Sequence, residues 1–356
     1  MARRSRATPV VRLESTGTQV GKRRMRLVIV NDDMPFLVDS VAAAIAARNL
    51  IIHRLLHPVL CVERDAKGAL KTIEPLCDDL RRRESIMYIE LDRADSKIRL
   101  ELAREIRTAL DDVRAAVEDW PKMQAQMRAD AAAIDDAEGR ALLEWFADGA
   151  MTLLGYERER PGKHSSHGLG LFRAPSPPDE EGGCETAVAF FAKGGEVPLS
   201  AKAERKSTVH RRVPLDLIAV PTIEKNKVVG IGVYAGLWTS QALTAPVEDV
   251  PVLRRRLAQL EAKLGFEPRG HSGKALRHAF TSLPHDLLVN LDPASVKRLV
   301  LTQMSLADRP RPTLTLARSI LRGHLFAFVW LPRDDLTSRR RVAIGEMIDA
   351  AAKGKT

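Results

Sequence analysis

Residues 30–41 read Val30-Asn31-Asp32-Asp33-Met34-Pro35-Phe36-Leu37-Val38-Asp39-Ser40-Val41. The run just before, Leu27-Val28-Ile29-Val30, is apolar and mostly β-branched, as a buried strand is. Asn31 and Asp32 end it, because their side chains bond nearby backbone and favour turns. Pro35 suits the first position of a helix, where its missing N–H costs nothing. Leu37, Val41, Ala44 and Ile45 then recur at helical spacing. A strand running through an acidic turn into a helix leaves N–H groups at the helix start without intrahelical partners. The helix dipole there favours an anion. Asn31, Asp32, Asp33, Met34, Pro35 and Phe36 are therefore a candidate ligand site, with the helix start for a carboxylate and Asp32 or Asp33 for an ammonium. The competing reading is an ordinary helix cap, with Phe36 packed in a core or an interface.

Working outward, strand 27–30, helix 35–48, strands 50–61 and 86–91 and helix 97–117 give a βαββα order over residues 25–118. This α+β module is ferredoxin-like or ACT-like and one strand short, with Ala115-Ala116-Val117 as a stub. Residues 119–155 read as a helical connector with Pro121 near its start, and 156–185, rich in Pro, Gly and Ser, as a flexible loop. Residues 186–265 read as a β-rich, ACT- or PAS-like module. Its expected strands are 187–191, 215–223 and 228–235, and a helix over 247–264 is stopped by Gly265. Residues 266–356 repeat a βαββα pattern that looks truncated. Its elements are a helix over 273–282, a strand at 286–291, a helix capped by Asp292, strands 312–318 and 324–331, and a helix over 337–351.

A second candidate is Ser207-Thr208-Val209-His210-Arg211-Arg212. Ser207, Thr208, His210 and Arg212 could together hold an anion or cross an interface; the plainer reading is a strand with one polar face. Other patterns fail on context. His53 and His57 lie four apart in a strand-like segment, about 13 Å along a strand and too far for one metal. Gly230-Ile231-Gly232-Val233-Tyr234-Ala235 matches a dinucleotide fingerprint but sits in a hairpin with no helix to follow. Gly354-Lys355-Thr356 lacks the upstream glycine of a phosphate loop, Asp349 standing in its place. The residues alone supply no metal or cofactor site.

The chain has 356 residues, 45% of them hydrophobic and 29% charged, with a net charge of +10. That is a globular composition with room for two or three domains. No apolar run reaches the roughly 18 residues of a membrane helix. The positive charge is concentrated at one end: residues 1–26 hold eight Arg and Lys against Glu14 alone. Residues 1–24 read as a basic disordered tail that the fold could spare. Such a tail attracts nucleic acid without specificity, but 4% aromatics gives no stacking platform. Cys61, Cys77 and Cys184 form no CxxC pair, which points to a reduced, cytoplasmic setting.

Asp33-Met34-Pro35-Phe36-Leu37, with the helix and Asn49-Leu50-Ile51-Ile52 after it, resembles the opening of an ACT domain. NDDMPFLVDSV, IHRLLHPVL, STVHR and LRRRLAQLEAKLGFEPRGHSGKAL, in that order, resemble the N-terminal region of the large bacterial NAD-dependent glutamate dehydrogenases. The resemblance runs from about Leu27 to about Asp335. It implies a non-catalytic regulatory and oligomerisation region. NAD and the conversion of glutamate to 2-oxoglutarate and ammonia would belong to a catalytic region downstream. The implied partners are that region, further copies of the chain and an amino-acid effector, with no membrane or nucleic acid. ACT domains use the turn at 31–36 for ligand and usually have glycine just after the proline. Phe36 stands there, and its side chain would occupy ligand space. The alternative implied by the same motif is a free-standing ACT-type amino-acid sensor.

Overall fold

The computed structural model describes residues 3–16, 24–74, 82–162, 168–173, 183–307, 309–321 and 324–352. Its first sheet is built around β6. In chain order its elements are β1 (Val10–Thr16), β2 (Arg24–Asp32), α1 (Leu37–Ala46), β3 (Ile52–Leu56), β4 (Val59–Arg64), β5 (Leu70–Glu74) and β6 (Arg82–Leu91). The strand order is β1-β2-β6-β4-β5, and β3 also pairs with β6. β3 and β4 are one strand broken at His57-Pro58, each half bonded to a different half of β6. Met25, Leu27 and Ile29 of β2 and Met87, Ile89 and Leu91 of β6 point to one face and are fully buried. That alternation is what an antiparallel sheet covered on one side requires.

The missing strand of the ACT-like module comes from the segment expected to be a disordered tail. β1 pairs with β2 from Val10 opposite Val30 to Thr16 opposite Arg24. It fills the edge beside the first strand, where a βαββαβ sheet places its last. Ala115–Val117 is not a stub of strand but part of a helix. Charge as well as pairing anchors the N-terminus. Buried Arg4 bonds Asp32 at 2.5 Å and Glu84 at 2.7 Å. Arg64 reaches Glu84 at 2.8 Å and Arg114 reaches Asp32 at 3.0 Å, with Arg82 also on Asp32. Burial pushes the Asp32 carboxyl up, but hydrogen bonds from Arg4 and Arg82 outweigh it and hold the group well below the usual range.

α2 (Ser96–Ala132) starts at an Asp95 cap, whose side chain accepts from the Ile98 N–H at 2.8 Å. It runs through Pro121 without ending. The expected break at 117–121 is absent because both halves of the helix are buried. Leu102, Ile106, Leu110 and Val113 pack with α1 on the first sheet, and Met123, Met127 and Ala131 pack into a second core. That burial outweighs the roughly 3 kcal/mol of an interior proline.

α3 (Ala137–Trp145) and a π-helical turn at 146–150 lead into β7 (Met151–Glu159), so the connector of 119–155 ends in a strand. β8 (Leu169–Gly170), α4 (Gly183–Ala192), β9 (Leu199–Lys206), β10 (Pro214–Glu224) and β11 (Lys227–Trp238) complete a second antiparallel sheet of order β8-β7-β11-β10-β9. The β10–β11 hairpin turns at Lys225 and Asn226, both at positive φ, as the paired left-handed turn demands. The expected strand at 187–191 is α4 instead. A short apolar run does not distinguish helix from strand, and here the buried residues are Cys184, Ala187 and Phe191, at helical spacing. Cys61 is disulfide-bonded, which departs from the reduced setting expected for the cysteines. Parts of 156–185, the turn Arg322-Gly323 and the C-terminal Gly354-Lys355-Thr356 lie outside the described residues.

α5 (Ser240–Thr244), α6 (Leu253–Leu264), α7 (His271–Thr281), α8 (His285–Asn290) and α9 (Pro293–Ala307) precede the hairpin of β12 (Thr313–Arg318) and β13 (Leu325–Trp330), and α10 (Ser338–Ala352) follows. Gly265 caps α6 at φ 64°. Asp292 accepts from the Ala294 and Ser295 N–H groups at the start of α9. Residues 286–291 belong to a helix, not a strand, with His285, Leu288 and Val289 buried on one side. The third module is thus three helices, a hairpin and a helix, not a second βαββα unit. α8 is tied to the second sheet by Lys202 of β9, which bonds both Asp216 of β10 and Asp286 at 2.6 Å. Burial pushes the Asp216 carboxyl up to about 6, against the pull of Lys202.

Two outcomes follow for stability. Arg4→Met should lower the unfolding free energy by about 3 kcal/mol, the low end for breaking a buried pair because other arginines remain. Deleting residues 1–16 should cost more; an unchanged denaturation midpoint for either would return the segment to a dispensable tail. Asp216 binds its proton more tightly folded than unfolded, so its contribution to stability is largest below pH 4 and is withdrawn as pH rises to about 6. Asp216→Asn should therefore lose less stability than wild type between pH 4 and pH 6. Parallel curves of unfolding free energy against pH would contradict this.

Candidate functional site

The turn that decides the fold is held at both ends. Asn31 and Asp32 lie opposite Ser85 and Glu84 in the β2–β6 ladder, and the Asp33 N–H donates to the Arg83 carbonyl at 3.1 Å. Asn31 is fully buried, and its Oδ1 accepts from Arg114 at 2.7 Å. Asp32 is committed to three arginines, and Asp33 faces Arg83 at 3.4 Å. The helix starts later than Pro35. Phe36 is its N-cap, at φ 69° and ψ 0°, with no side chain bonding the first turn. A left-handed conformation is one that glycine adopts at no steric cost and phenylalanine adopts with strain. Met34 and Phe36 both pack against the core formed by α1, α2 and the two sheets.

What holds Phe36 there is the second candidate. Residues 207–212 are a loop after β9, not a strand. The loop lands on the start of α1. Ser40 Oγ donates to the Phe36 carbonyl at 2.6 Å and accepts from the His210 N–H at 2.9 Å. His210 Nδ1 lies 3.0 Å from Asp39, and its ring is 5.4 Å from that of Phe36. Val209 is fully buried in the same core as Leu37 and Val41. Thr208 donates to Asp112 of α2 at 2.6 Å, and Ser207 Oγ donates to the Val209 carbonyl at 2.7 Å. Burial pushes the Asp112 carboxyl up, which the Thr208 bond only partly offsets. Arg212 is exposed, at the mouth of a cavity of about 130 Å³ shared with Arg104 and Thr208. The two sequence candidates are therefore one junction, in which the second module covers the turn of the first.

His53 bonds Asp92 at 2.8 Å and His57 bonds Ser85 at 2.7 Å, so the pair does not converge. Gly230 and Gly232 lie inside β11. A Cβ at Gly230 would come within 2.4 Å of the Glu159 carbonyl, so close strand packing requires the glycine.

Sequence reasoning missed a larger cavity, a groove of about 650 Å³ on the second sheet. Tyr156, Val220 and Gly232 of the sheet line it, together with Asp130 and Asp135 around the end of α2, Gly194, Gly195 and Arg255. The rings of Tyr156 and Tyr234 lie 4.6 Å apart. Tyr234 donates to Asp130, and Arg158 donates to the Tyr156 hydroxyl at 2.8 Å. The lining comes from segments far apart in the chain, so no local pattern announced it.

Comparison with known proteins matches residues 1–106 to the ACT1 domain of glutamate dehydrogenase and residues 250–309 to its helical motif 1. The NAD-specific glutamate dehydrogenase of Halomonas elongata is 28% identical over 352 residues, covering 90% of this chain and 22% of that protein. The enzyme of the same name from Pseudomonas aeruginosa is 30% identical over 347 residues, 90% of this chain and 21% of its own length. That of Mycobacterium tuberculosis is 24% identical over 341 residues, again 90% of this chain and 20% of the relative. The chain thus spans about a fifth of the length of the curated relatives it matches. With the ACT1 domain and helical motif 1 both matched, the chain is similar to the NAD-specific glutamate dehydrogenases over 90% of its length, consistent with their N-terminal region.

Proposed function

We propose that this chain is a non-catalytic regulatory and assembly region of a large NAD-dependent glutamate dehydrogenase. The parent reaction would convert L-glutamate, NAD and water to 2-oxoglutarate, ammonia and NADH, with NAD held elsewhere on the parent chain. The observation that carries the regulatory reading is the junction of Phe36, Ser40 and His210. The turn that ACT domains offer to a ligand is covered by the chain's own second module, and Asp32 is neutralised by arginines. An ammonium would have to displace guanidinium groups already bonded to it, and a carboxylate would have to displace the 207–212 loop. That arrangement suits a rigid coupling between modules. Oligomerisation and a cytoplasmic setting are part of the same proposal.

Incubated with glutamate and NAD, the purified chain should form no NADH; measurable turnover would overturn the non-catalytic reading. Ser40→Ala removes both hydrogen bonds of the junction and should cost about 1–3 kcal/mol. It should also raise amide hydrogen exchange at His210 while leaving exchange in β6 unchanged. An unaffected His210 amide would show that the junction does not couple the modules.

A further inference from the structure

The groove on the second sheet carries an unspent set of charges. Half of its ionic groups are paired within the protein. Arg255 bonds Asp136 at 2.5 Å, and Arg256 bonds Glu196 at 2.8 Å. Three groups are left over. Arg158 uses Nε on the Tyr156 hydroxyl, and its terminal nitrogens have no carboxylate partner among the described residues. Asp135 is exposed in the groove lining with no partner among the described residues. Asp130 accepts from Tyr234 and from Gln126, which fix its carboxylate at the groove wall. Arg158 and Asp130 are close enough for their charges to interact.

Beside these charged groups lies an apolar floor. Tyr156 and Val220 are buried, and Gly232 keeps the floor open, since a Cβ there would approach the Tyr156 hydroxyl to 3.2 Å. A guanidinium is suited to bidentate recognition of a carboxylate. Two carboxylates beside a helix C-terminus, where the dipole is negative, favour an ammonium. A cavity of about 300–1,000 Å³ with an apolar lining and a few convergent polar groups is the usual form of a small-molecule site.

We infer that this groove binds a free amino acid, with its carboxylate on Arg158 and its ammonium between Asp130 and Asp135. The site is separate from the ACT turn, and it does not depend on the identity of the parent enzyme. An excess of carboxylates disfavours nucleotides and other polyanions. A simple amine would leave Arg158 unsatisfied, and a simple acid would leave the aspartates so.

The test is calorimetric titration of the full chain with the proteinogenic L-amino acids at millimolar concentration. It is repeated with the N-acetyl and carboxamide forms of whichever binds best. Arg158→Gln and Asp135→Asn are the groove variants, both at exposed positions, with unchanged melting temperature as the check on folding. Asp33→Ala is the control for the ACT turn. The expected result is saturable binding that each groove variant and each blocked ligand weakens by about tenfold or more, the scale of one charge-assisted contact. Asp33→Ala should leave it unchanged. The inference is overturned if no amino acid saturates, if binding persists in either groove variant, or if Asp33→Ala alone removes it.

Discussion

Continuity of α2 is the constraint on which the rest of the structure depends. A helix of 37 residues spans about 55 Å, far more than one small module needs. Its first half closes the core of the ACT-like sheet, and its second half enters the core of the second sheet. Leu154, Leu215, Ala235 and Leu237 of the second module share one core with Met25, Leu27 and Met87 of the first. Neither module can shift against the other without opening apolar surface. Asp119, buried midway along the helix, adds a polar fastening. Its carboxylate accepts from Arg173 at 2.6 Å and from the Gly170 N–H at 3.0 Å. The Arg173 bond dominates in holding that carboxyl well below the usual range.

The same packing explains why the ACT turn is not an open pocket. Once α2 fixes the second sheet beside α1, the loop after β9 must pass over the helix start. Val209 fills the core, and the His210 ring packs at a tilt against that of Phe36. Phe36 in a left-handed conformation is strained on its own, and its bonds with Ser40 and its contact with His210 offset that strain. Positions held this way persist only where the surroundings over-determine them. Any effector of this region acts on a joint that is already closed, or elsewhere.

Local patterns carried much of this. β2, the acidic turn, α1, the β10–β11 hairpin and the Gly265 cap were legible because each rests on residues within one turn or one strand. The positive φ at Phe36 had a trace in the sequence, because glycine is usual at that place in the resembling family. Where the reading failed, the deciding contact was distant. β1 was hidden among arginines, and only its pairing with Val28 and Val30 makes Val10 to Leu13 a strand. Pro121 reads as a boundary unless the burial of Met123 and Met127 is known. Residues 187–191 and 286–291 are short apolar runs whose type is set by what lies beneath them. The groove could not be read at all, since Asp130, Arg158 and Gly232 come from three separate elements.

The central claim is that α2 makes the first two modules one cooperative unit. Native-state hydrogen exchange along α2 tests it most directly. The amides of Leu110 and Val113, before Pro121, and of Met127 and Ala131, after it, should open with one common free energy equal to that of global unfolding. Two distinct free energies, with the break at Pro121, would contradict the account and make the modules independent domains joined by a kinked linker.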